Sequence, residues 1–259
     1  MKTSGHSQPP AVRLSGASLS FGGEVLFAEL ALTLEAGRTT CLLGPSGVGK
    51  SSLLRLIAGL AEGAAGRVED DRGQALAGRV AYMAQQDLLL PWLSVRDNLL
   101  LGPRLRGEAI TPALRARAED LLAKVGLEGE GDALPGRLSG GMRQRCALAR
   151  TLFEDRPVVL MDEPFSALDA ITRYELQALT ADLLSGRTVF LVTHDPAEAL
   201  RLGHRIHVMA GRPARLDAAL QPPGDPPRPL GDPACVALLG ELLERLTAAK
   251  RSNRAEAAE

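Results

Sequence analysis

The sequence predicts an α/β fold built on a mainly parallel sheet, with an N-terminal antiparallel β subdomain and an inserted helical subdomain. Three observations predict it. Short apolar runs recur at Thr39–Leu43, Arg79–Met83, Val158–Met161, Val189–Val192 and Ile206–Met209, several of them alternating with helical stretches. That alternation is how parallel strands with crossover helices are encoded. The segments before Arg38, Ala11–Leu19 and Leu30–Leu34, are instead punctuated by Gly22-Gly23 and Ala36-Gly37, which suits strands that turn back on themselves. Between about Gln86 and Asp155 the texture changes to helix.

Composition narrows what such a fold does. The 259 residues can bury one sizeable core, and at 45% hydrophobic and 24% charged they have ordinary globular composition. With 30 Lys+Arg against 31 Asp+Glu the net charge is −1, which argues against a broad basic surface for nucleic acid. No run approaches the roughly 18–20 apolar residues that span a bilayer. The first ten residues lack an apolar core, so no secretory signal is expected. Cys41, Cys146 and Cys235 are odd in number and widely spaced, so neither a disulfide framework nor a zinc site is predicted and a reducing cytosol is the natural setting. No period of 20–50 residues repeats, which speaks against a solenoid or propeller.

Taken in order, residues 1–10 form a flexible N-terminus, 11–220 the main domain with its helical subdomain at about 86–155, and 221–259 a Pro-rich linker followed by a C-terminal helix. Within the helical part, Thr111-Pro112 reads as an N-cap with Pro at the first helical position, and Gly126 as a stop. Leu114, Ala118, Leu121, Leu122 and Val125 fall at helical spacing between them. Gln221–Pro233 is dominated by Pro and Gly, and no packed element is predicted there. Val236, Leu239, Leu242, Leu243 and Leu246 then mark one face of the last helix, with fraying expected from about Arg251.

The first chemistry-bearing motif is Gly44-Pro45-Ser46-Gly47-Val48-Gly49-Lys50-Ser51, a G-x-x-x-x-G-K-[ST] loop between the strand Thr39–Leu43 and a helix starting near Lys50. Small residues let successive backbone N–H groups curl around an anion, and the helix N-terminus adds positive potential. Lys50 can reach the β/γ-phosphates and the Ser51 hydroxyl can ligate Mg²⁺. Nucleoside triphosphate binding follows, on a P-loop NTPase core. Kinases, GTPases and many ATPases all remain open at this point.

Two further stretches narrow the choice. Val158–Met161 runs straight into Asp162-Glu163, which puts two acids at the C-terminal end of a buried strand, where parallel sheets bind ligands. Asp162 suits Mg²⁺ coordination and Glu163 suits a general base on an attacking water, although the pair taken alone also reads as an ordinary loop start. Leu138-Ser139-Gly140-Gly141-Met142-Arg143-Gln144-Arg145 then offers Ser139 as a helix cap and two glycines that leave N–H groups bare, a second anion site.

With that stretch the chain resembles the ATP-binding cassette family, whose signature is LSGGQ-like; Met142 stands where Gln is commonest. The spacing of Ser139 from Lys50 and from Asp162 fits the family. The resemblance runs over roughly Ala11–Met209 and implies further roles. Gln85 matches a glutamine that contacts Mg²⁺ and the attacking water, and Ser166-Ala167-Leu168-Asp169 matches the loop that brings Asp169 to the nucleotide. Val192-Thr193-His194-Asp195 matches the switch histidine, expected to touch the γ-phosphate. Phe21 stands where the family stacks an aromatic on adenine, and Ser52 completes the phosphate-loop set. The implied cofactors are ATP and Mg²⁺, and the implied assembly is a head-to-tail homodimer with two ATPs sandwiched between phosphate loop and opposing signature.

Gln86-Asp87-Leu88-Leu89-Leu90-Pro91-Trp92-Leu93-Ser94-Val95-Arg96-Asp97-Asn98 is similar to the nitrate/sulfonate/taurine import group, which includes ATPases for pyrimidine precursors of thiamine. There it implies a groove for a transmembrane permease subunit, on the cytoplasmic face of the membrane, with a separate solute-binding protein choosing the cargo. From the residues alone Trp92, the only Trp, reads equally as subdomain core. A soluble scaffold ATPase like that of iron–sulfur cluster assembly and an exporter ATPase are the alternatives. Nucleic-acid-directed cassettes are not expected.

Overall fold

The computed structural model describes residues 9–229 and 231–256. Of the predicted flexible N-terminus, residues 1–8 lie outside the described residues, whereas Pro10 is buried and its carbonyl accepts from the Thr188 hydroxyl at 2.7 Å. Along the chain the strands are β1 (Val12–Phe21), β2 (Glu24–Leu34), β3 (Thr39–Leu43), β4 (Ala65–Asp70), β5 (Val80–Met83), β6 (Val158–Asp162), β7 (Thr188–Val192), β8 (Arg205–Ala210) and β9 (Arg215–Leu216). The helices are α1 (Lys50–Ile57), α2 (Val95–Leu99), α3 (Leu101–Leu105), α4 (Pro112–Lys124), α5 (Gly140–Phe153), α6 (Ala170–Leu183), α7 (Pro196–Leu202) and α8 (Pro233–Glu256).

The described chain divides into two compact units. The first takes residues up to Val80, Pro157–Asp162 and everything from Ser185 onward. It holds an antiparallel sheet in the order β2-β1-β4 and a sheet in which β6-β7-β3-β8-β9 are neighbours. In the latter β6, β7, β3 and β8 are parallel and β9 returns antiparallel to β8. β7 (TVFLV) is buried at every position, as expected of a parallel strand covered on both faces. α1 brings Leu53, Leu54 and Ile57 into the core with Leu42, Leu43 and Phe190. On β1 and β2, by contrast, Val12 and Leu14, then Leu30, Leu32 and Leu34, alternate inward with exposed residues, the period of a sheet with one wet face.

The second unit takes Ala81–Arg156 and Glu163–Leu184. Its helices close over Leu99, Leu100, Ala118, Leu122 and Leu148, all fully buried. The Thr111 hydroxyl accepts from Leu114 N at 3.2 Å, with Pro112 at the first helical position and Gly126 at φ 70° beyond the end of α4.

Three features differ from the sequence reading. β4 was not predicted: of AGRVED only Val68 is aliphatic beyond alanine, and as an edge strand its first three residues are exposed. α8 continues to Glu256 where fraying is predicted from Arg251, because Asn253 Oδ1 accepts from Gly211 N at 2.7 Å and ties the last turns to the β8–β9 connection. The Pro-rich stretch has neither helix nor strand over 221–229, yet it is folded around the buried Arg228.

Candidate functional site

In the first unit, β3 runs directly into the phosphate loop and the loop into α1. Gly44 has φ 152°, and a Cβ there would lie 2.4 Å from the Met209 carbonyl oxygen on β8, so no side chain fits between loop and sheet. Gly49 caps α1 in a left-handed conformation at φ 107°, which glycine adopts without the Cβ penalty. Val48 is buried and anchors the middle of the loop. Lys50 is 8% exposed, and its ammonium donates to Gly44 O at 2.8 Å and Pro45 O at 2.9 Å, so it stands inside the curl. Ser51 and Ser52 follow, half-buried. The first turn of α1 has no acidic residue, which leaves the positive end of the helix to face an anion.

Register brings other predicted residues to the same sheet edge. Asp162, the last residue of β6, pairs with Val192 of β7, and Val192 pairs on its other side with Leu42 of β3. Asp162, the start of the phosphate loop and Thr193-His194 therefore leave the sheet at one level, at the carboxyl ends of parallel strands, where such sheets bind ligands. Asp162 is buried and His194 exposed. Thr193 N donates to Leu42 O at 3.1 Å. Asp195 caps α7, its Oδ1 accepting from Ala197 N at 2.9 Å and Glu198 N at 3.3 Å. Phe21, at the end of β1, is 80% exposed and so does not serve as core.

The second unit gathers another group. Glu163, next in the chain after Asp162, has φ 50°, a left-handed conformation that a glutamate adopts only when its surroundings impose it. Those surroundings are identifiable. Gln144 Nε2, from a buried side chain of α5, donates to Glu163 O at 3.3 Å and to Pro164 O at 3.0 Å. The Ser166 hydroxyl donates to Glu163 O at 3.0 Å. Gln85 Nε2 donates to Glu163 Oε2 at 3.3 Å, so two residues 78 apart in sequence share one hydrogen bond. Ser139 caps α5 by accepting from Met142 N at 3.2 Å, and Gly140-Gly141 form the first helical turn, Gly140 exposed. Asp169 caps α6 through Ile171 N and Thr172 N, and the Thr172 hydroxyl together with those N–H groups holds its carboxyl below the ordinary carboxylate pKa.

Comparison with known proteins is decisive for the family. Residues 27–166 match the ABC transporter family. The chain belongs to it. An uncharacterised ABC transporter ATP-binding protein of Haemophilus influenzae is 43% identical over 238 residues, 91% of this chain and 98% of its own. An aliphatic sulfonates import ATP-binding protein of Burkholderia cenocepacia is 42% identical over 241 residues, covering 91% and 87%. Among solved structures, a dimeric ATP-binding cassette in a post-hydrolysis state bound to ADP and Pi superposes with a TM-score of 0.74 at 29% identity, over 82% of this chain and 99% of that one. This chain is thus an ATP-binding cassette of the ABC transporter family, an ATPase with the mixed α/β cassette fold.

Within the cassette's second unit, the loop after Gln85 presents its tryptophan outward. Trp92 is 71% exposed and Leu88 57%, so Trp92 is not part of the subdomain core. The loop is rigidly held all the same. The fully buried Asn98 accepts from Leu90 N at 2.8 Å and donates to the carbonyls of Leu90, Leu93 and Ser94 at 3.0–3.2 Å. From α5, Arg143 Nε donates to Asp87 Oδ2 at 3.1 Å, and Arg150 donates to Asp87 O at 2.6 Å and Leu88 O at 2.8 Å. Gln144, Asn98 and Arg150 are supporting residues that the sequence reading passed over. The available signal was position: Gln144 lies on the same stripe of α5 as buried Leu148 and Thr151, and an amide on an apolar stripe needs buried partners. No helix among the described residues is long and apolar enough to cross a membrane.

Proposed function

We propose that this cassette powers import of a small solute through a transmembrane permease, binding the permease by the surface around Trp92. The observation that carries the reading is the outward Trp92 on a loop clamped by Asn98, Arg143 and Arg150, since an exposed aromatic on a rigid frame is the anchor a partner helix uses. Relatives named for aliphatic sulfonate import support a sulfonate-type cargo, within the wider nitrate, taurine and pyrimidine-precursor group. A separate solute-binding protein would select it, with the cassette acting from the cytoplasmic side.

The proposed hydrolytic roles follow from chemistry. Gly44–Ser52 cradle the phosphates, with Lys50 opposing the charge that develops on the transferred group. Glu163 takes the proton of the attacking water, Gln85 and His194 orient water and γ-phosphate, and Phe21 stacks on adenine. Ser51, Asp162 and Gln85 offer only oxygen donors and a single carboxylate, the set suited to Mg²⁺ held jointly with substrate phosphates; the ion would neutralise phosphate charge there. Ser139–Gly141, with Asp169, meet the nucleotide of a second copy, so two chains enclose two ATPs and separate when the γ-phosphate leaves.

Co-purification tests the reading. Tagged and isolated from its native cells, the cassette is expected in detergent extracts with a polytopic membrane protein, and Trp92→Ala is expected to reduce that recovery severalfold while leaving ATP binding intact. A cassette that stays soluble, or a Trp92→Ala chain that still binds its permease normally, overturns it.

A further inference from the structure

Arg228 in the Pro-rich segment is 2% exposed, and its guanidinium is bound entirely through backbone carbonyls. Nε donates to Pro223 O at 2.7 Å, and Nη2 to Pro222 O at 3.0 Å and Gly224 O at 2.6 Å. Those three contacts wrap residues 222–224 around the side chain. Nη1 donates instead to Leu200 O at 2.9 Å and Gly203 O at 2.8 Å, and the Arg228 backbone N–H donates to Arg201 O at 3.0 Å. Arg201 Nη1 returns a bond to Arg228 O at 3.0 Å. One residue from outside α7 thus satisfies three carbonyls at that helix's C-terminal end, where carbonyls have no intrahelical partner. A five-donor planar fork is the group able to do this, and its positive charge sits at the negative end of the helix.

His194 lies immediately before Asp195, the cap at the other end of α7. Thr193 is bonded to β3 through Leu42 O, Asp195 caps the helix, and Asp195 N donates to the Thr193 hydroxyl at 3.0 Å. α7 has seven residues, about 10 Å at the helical rise, too short to be stable by itself. Its placement is therefore set by tertiary contacts, the burial of Ala199, Leu200 and Leu202 along its body and the hydrogen bonds at its two ends. The C-terminal end is seated closely: a Cβ at Gly203 would lie 2.7 Å from Ala199 O and 2.9 Å from Cys41 Sγ.

We propose that Arg228 is a positioning residue for ATP hydrolysis, holding the C-terminal carbonyls of α7 so that the helix sets the backbone at His194. The inference rests on the reading of His194 as a γ-phosphate contact. On it, the Pro-rich segment belongs to the hydrolytic apparatus and is not a linker. Among the described residues Arg228 itself hydrogen-bonds none of β3, β8 or α1, the elements that frame the phosphate loop, so its loss is expected to act on turnover more than on nucleotide affinity.

A double-mutant cycle on the full-length chain tests it, with ATPase kinetics and binding of a fluorescent ATP analogue as readouts. Arg228→Gln is expected to lower kcat about tenfold with KM and analogue affinity within about twofold, and Arg228→Lys to recover part of the loss. In a His194→Ala background, adding Arg228→Gln is expected to change kcat by less than about twofold. Unchanged kcat in Arg228→Gln, a parallel loss of analogue affinity, or a full further tenfold loss in the His194→Ala background overturns the inference. Should Arg228→Gln fail to fold, Arg228→Lys carries the cycle, and its smaller defect must likewise vanish. Wild-type turnover in His194→Ala alone would show that the reading of His194 had failed, and the inference with it; an impaired His194→Ala beside a normal Arg228→Gln overturns the inference only.

Discussion

The phosphate loop and the signature turn both use glycine at the start of a helix, and they are built in opposite ways. In the loop, Gly44 and Gly49 have left-handed backbone, the place of a Cβ at Gly44 is filled by the Met209 carbonyl, and Lys50 is enclosed by the carbonyls of its own loop. In the signature turn, Gly140 and Gly141 have ordinary helical backbone, a Cβ at Gly140 would meet only Arg143 Nη2 at 3.9 Å, and the guanidinium of Arg143 is turned to Asp87 and to Leu138 O. The loop carries its own cation and its own geometry. The signature turn is open at Gly140, while a Cβ at Gly141 would touch Ala167 O at 3.4 Å; on the proposed function this exposed helix start is the half of a site that a second copy completes.

Substitutions break or sharpen this contrast. The largest effect is expected from Lys50→Ala, which removes the enclosed cation and should lower phosphate-release kcat at least about 10²–10³-fold. Glu163→Gln keeps the shape of the left-handed bend and removes the base, so kcat should fall about 10²-fold or more while an ATP-bound dimer accumulates, visible by size-exclusion chromatography with ATP. Full turnover in that variant would rule out the role given to Glu163. Gly44→Ala should cost about 2–3 kcal/mol of stability in urea titration, because the new methyl meets a backbone carbonyl at a left-handed position. Gly140→Ala is the counterpart: the chain should unfold within about 1 kcal/mol of wild type or be slightly stabilised, as alanine is the better helix former, yet ATP-dependent dimerisation should weaken. The smallest effect on stability is expected from Ser139→Ala, which loses a helix cap worth about 1 kcal/mol in urea titration; as part of the same proposed half-site it should also weaken ATP-dependent dimerisation. A Gly140→Ala chain that dimerises normally with ATP would remove the half-site from the account.

The two regions also differ in how far the sequence revealed them. The loop was fully legible, since its glycines, Lys50 and Ser51 are adjacent and each residue type is required by the anion. The capping roles of Ser139 and Thr111 were legible for the same local reason. Glu163 was legible as an acid after a strand, but its φ of 50° was not, because that bend is maintained by Gln144 and Ser166 and meets Gln85 from across the second unit. Trp92 read equally as core and as surface, and only its surroundings resolved that: Asn98 fills the space beneath the loop and leaves the indole outside. β4 escaped because an edge strand with exposed polar residues has no apolar period to detect.

The opening prediction of an α/β fold with a parallel sheet thus rested on features a chain displays locally: apolar runs, turn residues and helix caps. Those features determined the order of the elements, the phosphate loop and the place of Asp162 at the end of β6 and His194 just after β7. Tertiary structure alone decided the level at which β3, β6 and β7 end together, the orientation of Trp92 and the clamp of Arg228 on α7. Each of these depends on hydrogen bonds and burial between residues tens of positions apart, and no local period records which distant carbonyl a buried side chain will find. Pro and Gly between 221 and 229 showed where helix and strand would stop; the contacts of Arg228 turned that stretch into an ordered support.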